Sequence, residues 1–391
     1  METVSPQSRV EIASVSVHLT EMGTKTPHTR VATVSILGGD VWEGMFGRGC
    51  LGGDVWEGRS TNRNGGGSRA YRFRMESQMQ LDVIDLTAPI SEQARTLVRA
   101  CEEIGFFCIP LESIERSIAD AAWNDAAEFF ALADAEKRRI EFPEPGYPYG
   151  FSPFGFESLA KSTGAESPPP DLKESLSVGP DCAANPTPAS RGDAWIRSAS
   201  LWPEHPPRLR ESWTAYYRAL AAVSEHLMSV MAIALDLPAD FFNPLIDRPI
   251  TSMRALNYPA IDTSAVEPGA LRAGAHSDYG TLTILRTDDV AGLQIESSDG
   301  SWIDIAPEPD SFVVNLGDSI AQWTNDRWRS TVHRVTAADP SARQSMAFFH
   351  MANWEAMIEC LPTCVEPGST PKHEPVQAGP WLMRKFQSTI S

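Results

Sequence analysis

The sequence predicts a mainly β protein with α-helical additions: a helical N-terminal half wrapped onto an antiparallel sandwich or barrel. Three observations predict it. After residue 249 the chain breaks into short apolar runs, roughly 8–12 residues apart, with Gly, Asp and Pro between them. Before that point, 91–104 and 207–236 carry apolar residues at helical spacing. The composition, 42% hydrophobic with eleven Trp and sixteen Phe, is ample for a large core.

In chain order, residues 1–78 differ from the rest. They are rich in Gly, Ser, Thr and Arg, and they contain LGGDVWEG twice, at 37–44 and 51–58. Two copies cannot stack into a solenoid, so a local 14-residue duplication in a disordered leader is expected. LDVIDL (81–86) alternates as a strand does, and Ser91 is placed to cap a helix carrying Leu97, Val98, Cys101 and Ile104 on one face. Gly105 ends that helix, and FFCI follows as a buried strand. Further helices are expected at about 113–131 and 134–140. Residues 142–203 read as a long aromatic, proline-broken loop. The longest helix, 207–236, aligns Trp213, Tyr217, Leu220 and Val223. Strands are expected in ITSMRALNYPA, GTLTILRT, AGLQIES, WIDIAP, SFVVNLGD, TVHRVTAA and SMAFFHMA. The expected division is a leader (1–78), a helical region with a long loop (79–245) and a β core (246–391).

Charge narrows the function. At a net −18 the surface repels phosphate backbones and anionic membrane, so no nucleic-acid partner is expected. No run approaches eighteen apolar residues, and the first twenty residues lack a basic-then-apolar leader pattern. A soluble, cytoplasmic monomer acting on a small molecule is the expectation. The six cysteines show no CxxC spacing, and Cys360 and Cys364 have no nearby partners for a zinc site.

His276 and Asp278 stand two apart in GAHSDYG, and on an extended chain such positions share a side. With eight histidines in the chain, HxD alone is a weak signal. His333 in STVHRV, on a later strand-like run, adds a second imidazole. Two His and one carboxylate on one face of an iron leave the other face open, whereas a structural zinc site takes four ligands. Arg343 and Ser345 follow about one strand later, again two apart, and Tyr258 in LNYPA offers a further donor. A guanidinium fork with a hydroxyl suits a carboxylate. Phe151, Phe154, Phe156 and Trp195 are candidates for a substrate cavity or for covering the core. His226 is expected to be an ordinary helical residue and His350 core or rim packing. Asp318 should make a turn, with Gly317 supplying unusual backbone angles.

Together, HSD (276–278), NLGDSIAQWTND (315–326), STVHRV (330–335) and RQS (343–345) resemble the iron(II)/2-oxoglutarate-dependent dioxygenases of the isopenicillin N synthase-like group. LDVIDL and DLKESLSVG (171–179) extend the resemblance back to about residue 80. It implies a double-stranded β-helix (jelly-roll) core flanked by N-terminal helices. It also implies iron ligands His276, Asp278 and His333, and 2-oxoglutarate on Arg343, Ser345 and Tyr258. Fe(II) would act with 2-oxoglutarate and O2 as co-substrates, releasing succinate and CO2 while a small organic molecule is oxidised, as in secondary metabolism. Many plant members carry Asn two residues before that Tyr, where this chain has Leu256, with Asn257 one place out of register. Asp278 argues against the halogenating relatives, which replace the carboxylate. Two other readings stay open. One is an oxidase without 2-oxoglutarate, in which Arg343 and Ser345 grip the substrate; the other is a non-catalytic jelly-roll binding module. Selectivity is expected from the 145–170 loop and the segment after Trp354. Met75 or Met79 is expected to be the native start; N-terminal sequencing of natively expressed protein should then read from one of them rather than from Met1.

Overall fold

The computed structural model describes residues 78–390 apart from 145, 164–167, 183–186, 263–265, 268 and 307; within 1–77 it describes the backbone of five strands. The chain forms two compact units, Met1–Gln78 and Met79–Ser391. In the first, β1 (Gly23–Thr26), β2 (Thr29–Ser35), β3 (Val41–Arg48), β4 (Asp54–Ser60) and β5 (Ala70–Arg74) form an antiparallel meander. The two DVWEG copies meet across one ladder, Gly44 opposite Gly58 and Phe46 opposite Trp56. The expected leader otherwise falls on residues outside those described.

The second unit begins with α1 (Ile90–Glu103), β6 (Phe106–Pro110), α2 (Arg116–Phe130), α3 (Asp134–Lys137), β7 (Gly150–Ser152), β8 (Glu174–Val178), α4 (Arg191–Ile196), α5 (Leu209–Ala234) and α6 (Asn243–Ile246). Its second half holds β9 (Ser252–Tyr258), β10 (Ala273–His276), β11 (Leu282–Thr287), β12 (Leu293–Glu296), β13 (Trp302–Asp304), β14 (Ser311–Leu316), α7 (Asp318–Trp323), β15 (His333–Val335), β16 (Arg343–His350), β17 (Met357–Ile358), β18 (Val376–Gln377) and α8 (Ala378–Ile390).

From β9 to β16 the chain passes back and forth between two facing sheets, apart from the β12–β13 hairpin within one of them, which makes a jelly roll. The major sheet runs β6-β14-β11-β16-β9-β8-β7 and the minor sheet β10-β15-β12-β13, all antiparallel. Helices α1, α2 and α5 pack together on the outer face of the major sheet. The α5 stripe supplies Trp213, Tyr216, Tyr217, Leu220 and Leu227, all essentially buried. Tyr217 sets its ring edge-on to Phe348 of β16, 5.0 Å away. Removing such side chains from water, at about 25 cal/mol per Å² of apolar area, is what fixes the helices to the sheet.

Several expectations shift in detail. Pro89, not Ser91, sits at the N-cap of α1, and it offers no side-chain cap. LDVIDL makes only an isolated bridge, Val83 to Cys108, rather than a strand. The supposed loop at 142–203 contains β7 and β8, which extend the major sheet. Three residues of β7 are too few to show a period, and every residue of β8 is buried, so neither alternates. Gly105 does end α1, at φ +77°, with its N–H donating to Ala100 O at 2.8 Å.

On β8, adjacent side chains leave opposite faces. Glu174 points toward the helices, where its carboxylate accepts from Lys137 Nζ at 2.7 Å and Asn257 Nδ2 at 2.9 Å. Both members of the ion pair are buried. Losing one partner strands a charge in the core, so Glu174→Ala should cost about 3–5 kcal/mol in urea unfolding. A Lys137→Met/Glu174→Leu double variant should lose distinctly less.

Candidate active site

The three predicted metal ligands come together because β10 and β15 are neighbours. His276, at the end of β10, is the cross-strand partner of His333, at the start of β15. Their rings lie 4.4 Å apart between centroids. Asp278 follows just beyond β10, its Oδ1 3.8 Å from His276 Nε2. One ligand atom from each of the three lies within 4.8 Å of the others, and among the described residues no other His, Cys, Asp or Glu group has this arrangement.

Each of these three side chains is oriented by a second contact. His276 Nδ1 lies 2.7 Å from Gly274 O and His333 Nδ1 3.1 Å from Thr331 O. A carbonyl only accepts, so both Nδ1 atoms carry the proton and both Nε2 atoms keep a lone pair for a metal. Burial, and then the adjacent His333, push His276 down to about 4 against the pull of Asp278, so its ring is neutral near pH 7. Burial also works against ionising Asp278. The charge of the two imidazoles when protonated, and hydrogen bonds from Asn315 and Thr283, outweigh it and hold the carboxyl below its ordinary range. Thr283 Oγ1 (2.6 Å) and Asn315 Nδ2 (2.7 Å) both donate to Oδ2, which leaves Oδ1 facing the imidazoles. Two imidazoles and one carboxylate fit a divalent iron with open coordination positions.

Gly317 is not in an unusual conformation, since its φ is −102°. It serves close approach instead: a Cβ there would come within 2.3 Å of Gly280 O and 3.0 Å of Asp278 O. Asp318 begins α7, donating its N–H to Asp278 O at 2.8 Å. The loop holding Asp278 is thus pinned from below by backbone.

Arg343 opens β16 opposite Tyr258 at the end of β9, and Ser345 lies opposite Leu256. All four side chains line the same cavity of about 650 Å³ as the three ligands. Arg343 is buried; its Nη2 donates to Thr287 Oγ1 at 2.7 Å, and its guanidinium sits 5.0 Å from the Tyr258 ring centroid. Its Nη1 is buried with no partner. A carboxylate from a chelating keto acid would satisfy that donor, with the Ser345 and Tyr258 hydroxyls, 3.5 Å apart, beside it. Leu256 faces this cavity, while Asn257 turns outward to Glu174, so Asn257 takes no part in the site.

Of the four aromatics proposed for the cavity, Phe156 and Trp195 line it and Phe151 and Phe154 do not. Phe151, central in β7, is fully buried in the helix-facing core, edge-on to Phe129 at 5.9 Å. Phe154 is half exposed. His350 is buried against Thr281, with its pKa lowered to about 4 by burial, and lies outside the lining. His226 pairs with Gln93 at 2.8 Å. Sequence reasoning missed Thr283, Asn315, Arg254, Glu157 and Phe386. Asn315 stands inside the NLGD motif, and strand alternation over SFVVNL could have found it. Phe386, in α8 far along the chain, gave no signal.

The comparisons decide the family. A model of the 2OG-Fe(II) oxygenase superfamily matches residues 250–352, and one of the non-haem dioxygenase N-terminal region (in morphine synthesis) matches 81–205. The chain is 32% identical to a 2-oxoglutarate-Fe(II) type oxidoreductase, hxnY, of Emericella nidulans, over 74% of this chain and 81% of that one.

The chain belongs to the 2-oxoglutarate/Fe(II) oxygenases.

It is also 32% identical to a homoarginine-6-hydroxylase of Oryza sativa subsp. japonica, over 73% of this chain and 86% of that one. Among solved structures, a full-length Neurospora crassa protein in complex with alpha-KG and thymine superposes with a TM-score of 0.69 at 27% identity, covering 79% of this chain and 97% of that chain. The cofactor set is therefore Fe(II) with 2-oxoglutarate, and the chemistry is Fe(II)/2-oxoglutarate-dependent oxidation. That leaves behind both the oxidase without 2-oxoglutarate and the non-catalytic module. No helix among the described residues is long and apolar enough to cross a membrane.

The contacts behind the ligands give a direct prediction. Asn315→Ala or Thr283→Val removes one of the two donors to Asp278 and should weaken Fe(II) binding about 10–100-fold, measured anaerobically by equilibrium dialysis. Circular dichroism should be unchanged.

Proposed function

We propose that His276, Asp278 and His333 hold the iron, and that Arg343, Ser345 and Tyr258 hold the distal carboxylate of 2-oxoglutarate. The protein then hydroxylates a small organic molecule. The observation that carries this reading is the pairing, in one cavity, of a three-ligand face with a buried guanidinium whose Nη1 has no partner. Bound together, Fe(II) and 2-oxoglutarate would activate O2, the oxidant, with succinate and CO2 released.

The chain's own residues do the placing. Arg343 and Ser345 fix one end of the co-substrate from the major sheet, while the ligands approach from the minor-sheet side. Leu256, Leu285 and Ala347 wall the space between, an apolar lining that excludes water. The prime substrate enters on the side lined by Phe156, Trp195 and Phe386. The 145–170 loop and the segment after Trp354 contribute to that side, which supports their role in selectivity.

Relatives named for homoarginine hydroxylation and a thymine-bound neighbour support a small polar metabolite as substrate. We place the enzyme in secondary metabolism as a cytoplasmic monomer. Four free cysteines among the described residues are in keeping with a reducing compartment.

Anaerobic addition of Fe(II) and 2-oxoglutarate should give a visible charge-transfer band, and Asp278→Ala should abolish it. Arg343→Met should raise the concentration of 2-oxoglutarate at half-saturation at least ~10-fold, since a charged hydrogen bond is worth about 1.5–3 kcal/mol. Chelation by EDTA should stop succinate release and Fe(II) should restore it. Turnover without succinate would sink the proposal.

A further inference from the structure

The cavity has a second polar pole that the iron and the co-substrate leave unused. Along β9, Ser252, Arg254, Leu256 and Tyr258 all line the cavity, the even positions of a single strand face. Tyr258 stands at the carboxylate clamp. Arg254 lies four residues back, about 13 Å along the strand at ~3.3 Å per residue. It is opposite Ala347 in the ladder, on the far side of the apolar wall from Arg343.

Arg254 does not stand free. Its Nε donates to Ser177 Oγ at 2.8 Å, and its Nη1 reaches both Glu157 oxygens at 3.1 and 3.0 Å. Behind Glu157 is Lys173, 3.4 Å away and fully buried, which also pairs closely with Asp171. Burial disfavours the Glu157 carboxylate, but Arg254 and Lys173 outweigh that and keep it ionised. Two cations thus face two anions, and the cluster sums to zero. Arg254, Glu157 and Ser177 face the cavity, while Lys173 and Asp171 stand behind them.

The cluster is also tied to the metal strand. Gly274 N–H donates to Asp171 Oδ1 at 2.8 Å, and the carbonyl of the same Gly274 orients His276. A Cβ on Gly274 would lie 2.6 Å from Ala160 N, so the segment beside Glu157 runs directly against β10. The polar pole and the iron ligand therefore share one rigid frame, which is what regioselective oxidation requires of a substrate anchor.

We propose that Arg254 and Glu157 anchor the prime substrate, and that they select a net-neutral polar edge with a hydrogen-bond acceptor beside a donor. The acceptor meets the Arg254 guanidinium and the donor meets the Glu157 carboxylate. An amide edge of a ring and the paired charges of an α-amino acid head group share this chemistry. A group bearing only a carboxylate would add a negative charge to a cluster that already sums to zero, and one bearing only an ammonium a positive one. Either leaves a charge unpaired in a partly buried site. The inference rests on the iron and 2-oxoglutarate reading above.

The test uses the full chain loaded anaerobically with Fe(II) and 2-oxoglutarate, and follows the charge-transfer band as four probes are added. They are 2-pyridone (ring amide), arginine (amino-acid head group), benzoate (carboxylate alone) and benzylamine (ammonium alone). Either 2-pyridone or arginine should perturb the band at a concentration at least ~10-fold below that needed for benzoate or benzylamine, and which of the two does so identifies the source of the edge. Arg254→Gln and Glu157→Gln should each weaken that response ~10-fold or more while keeping the band itself, the loss expected for a charged hydrogen-bond partner. Arg254→Lys, which keeps the charge without the fork, should fall between. The proposal is overturned if benzoate or benzylamine acts best, if no neutral-edge probe acts, or if both Gln variants respond like the wild type. Failure of the unmodified protein to form the band would instead count against the iron reading.

Discussion

The site depends on one cross-strand pairing, His276 opposite His333 in the ladder between β10 and β15. Directly opposed residues on antiparallel strands are the closest side-chain neighbours a sheet provides. Two imidazoles placed there need little further adjustment to share a metal. A slip of one residue in this register would send one ring to the other face of the minor sheet and dissolve the site. The close backbone contact of Gly317 with Gly280 and Asp278 holds the loop that carries the carboxylate beside that pair.

The remaining polar groups follow from the cost of burying them. Asp278 is tolerated inside because Thr283 and Asn315 both donate to Oδ2, which leaves Oδ1 on the side of the two imidazoles for a metal. Arg343 is tolerated because Thr287 and the face of Tyr258 receive it, with one nitrogen left over for a ligand. Lys173 and Glu174, neighbours in DLKES, divide their work by the alternation of β8. One supports the cavity wall, and the other holds α3 and β9 from the opposite face. The motif thus joins the helical layer to the reaction chamber.

The long helices and the β-rich second half were legible because their patterns are local. The α5 stripe repeats along a helix of 26 residues, and each core strand is bounded by turn residues. The candidate iron ligands were legible in part, since i and i+2 on an extended chain converge. What escaped had no local period to read. β7 and β8 are short and buried on both faces, and LDVIDL alternates yet makes only a bridge. Phe151 looked like a loop aromatic until β7 turned it toward Phe129.

The sequence by itself determined the candidate ligand types, their HxD spacing, the Arg/Ser pair and the acidic net charge, because these are properties of composition and of neighbours along the chain. Only the tertiary structure decided which imidazole meets which, and that Oδ1 rather than Oδ2 of Asp278 faces them. It alone decided that Arg254 and Glu157, far apart in sequence, form the far pole of the cavity. Those outcomes depend on strand register and on which face each side chain takes, and register is set by the burial of the whole sheet rather than by any segment within it.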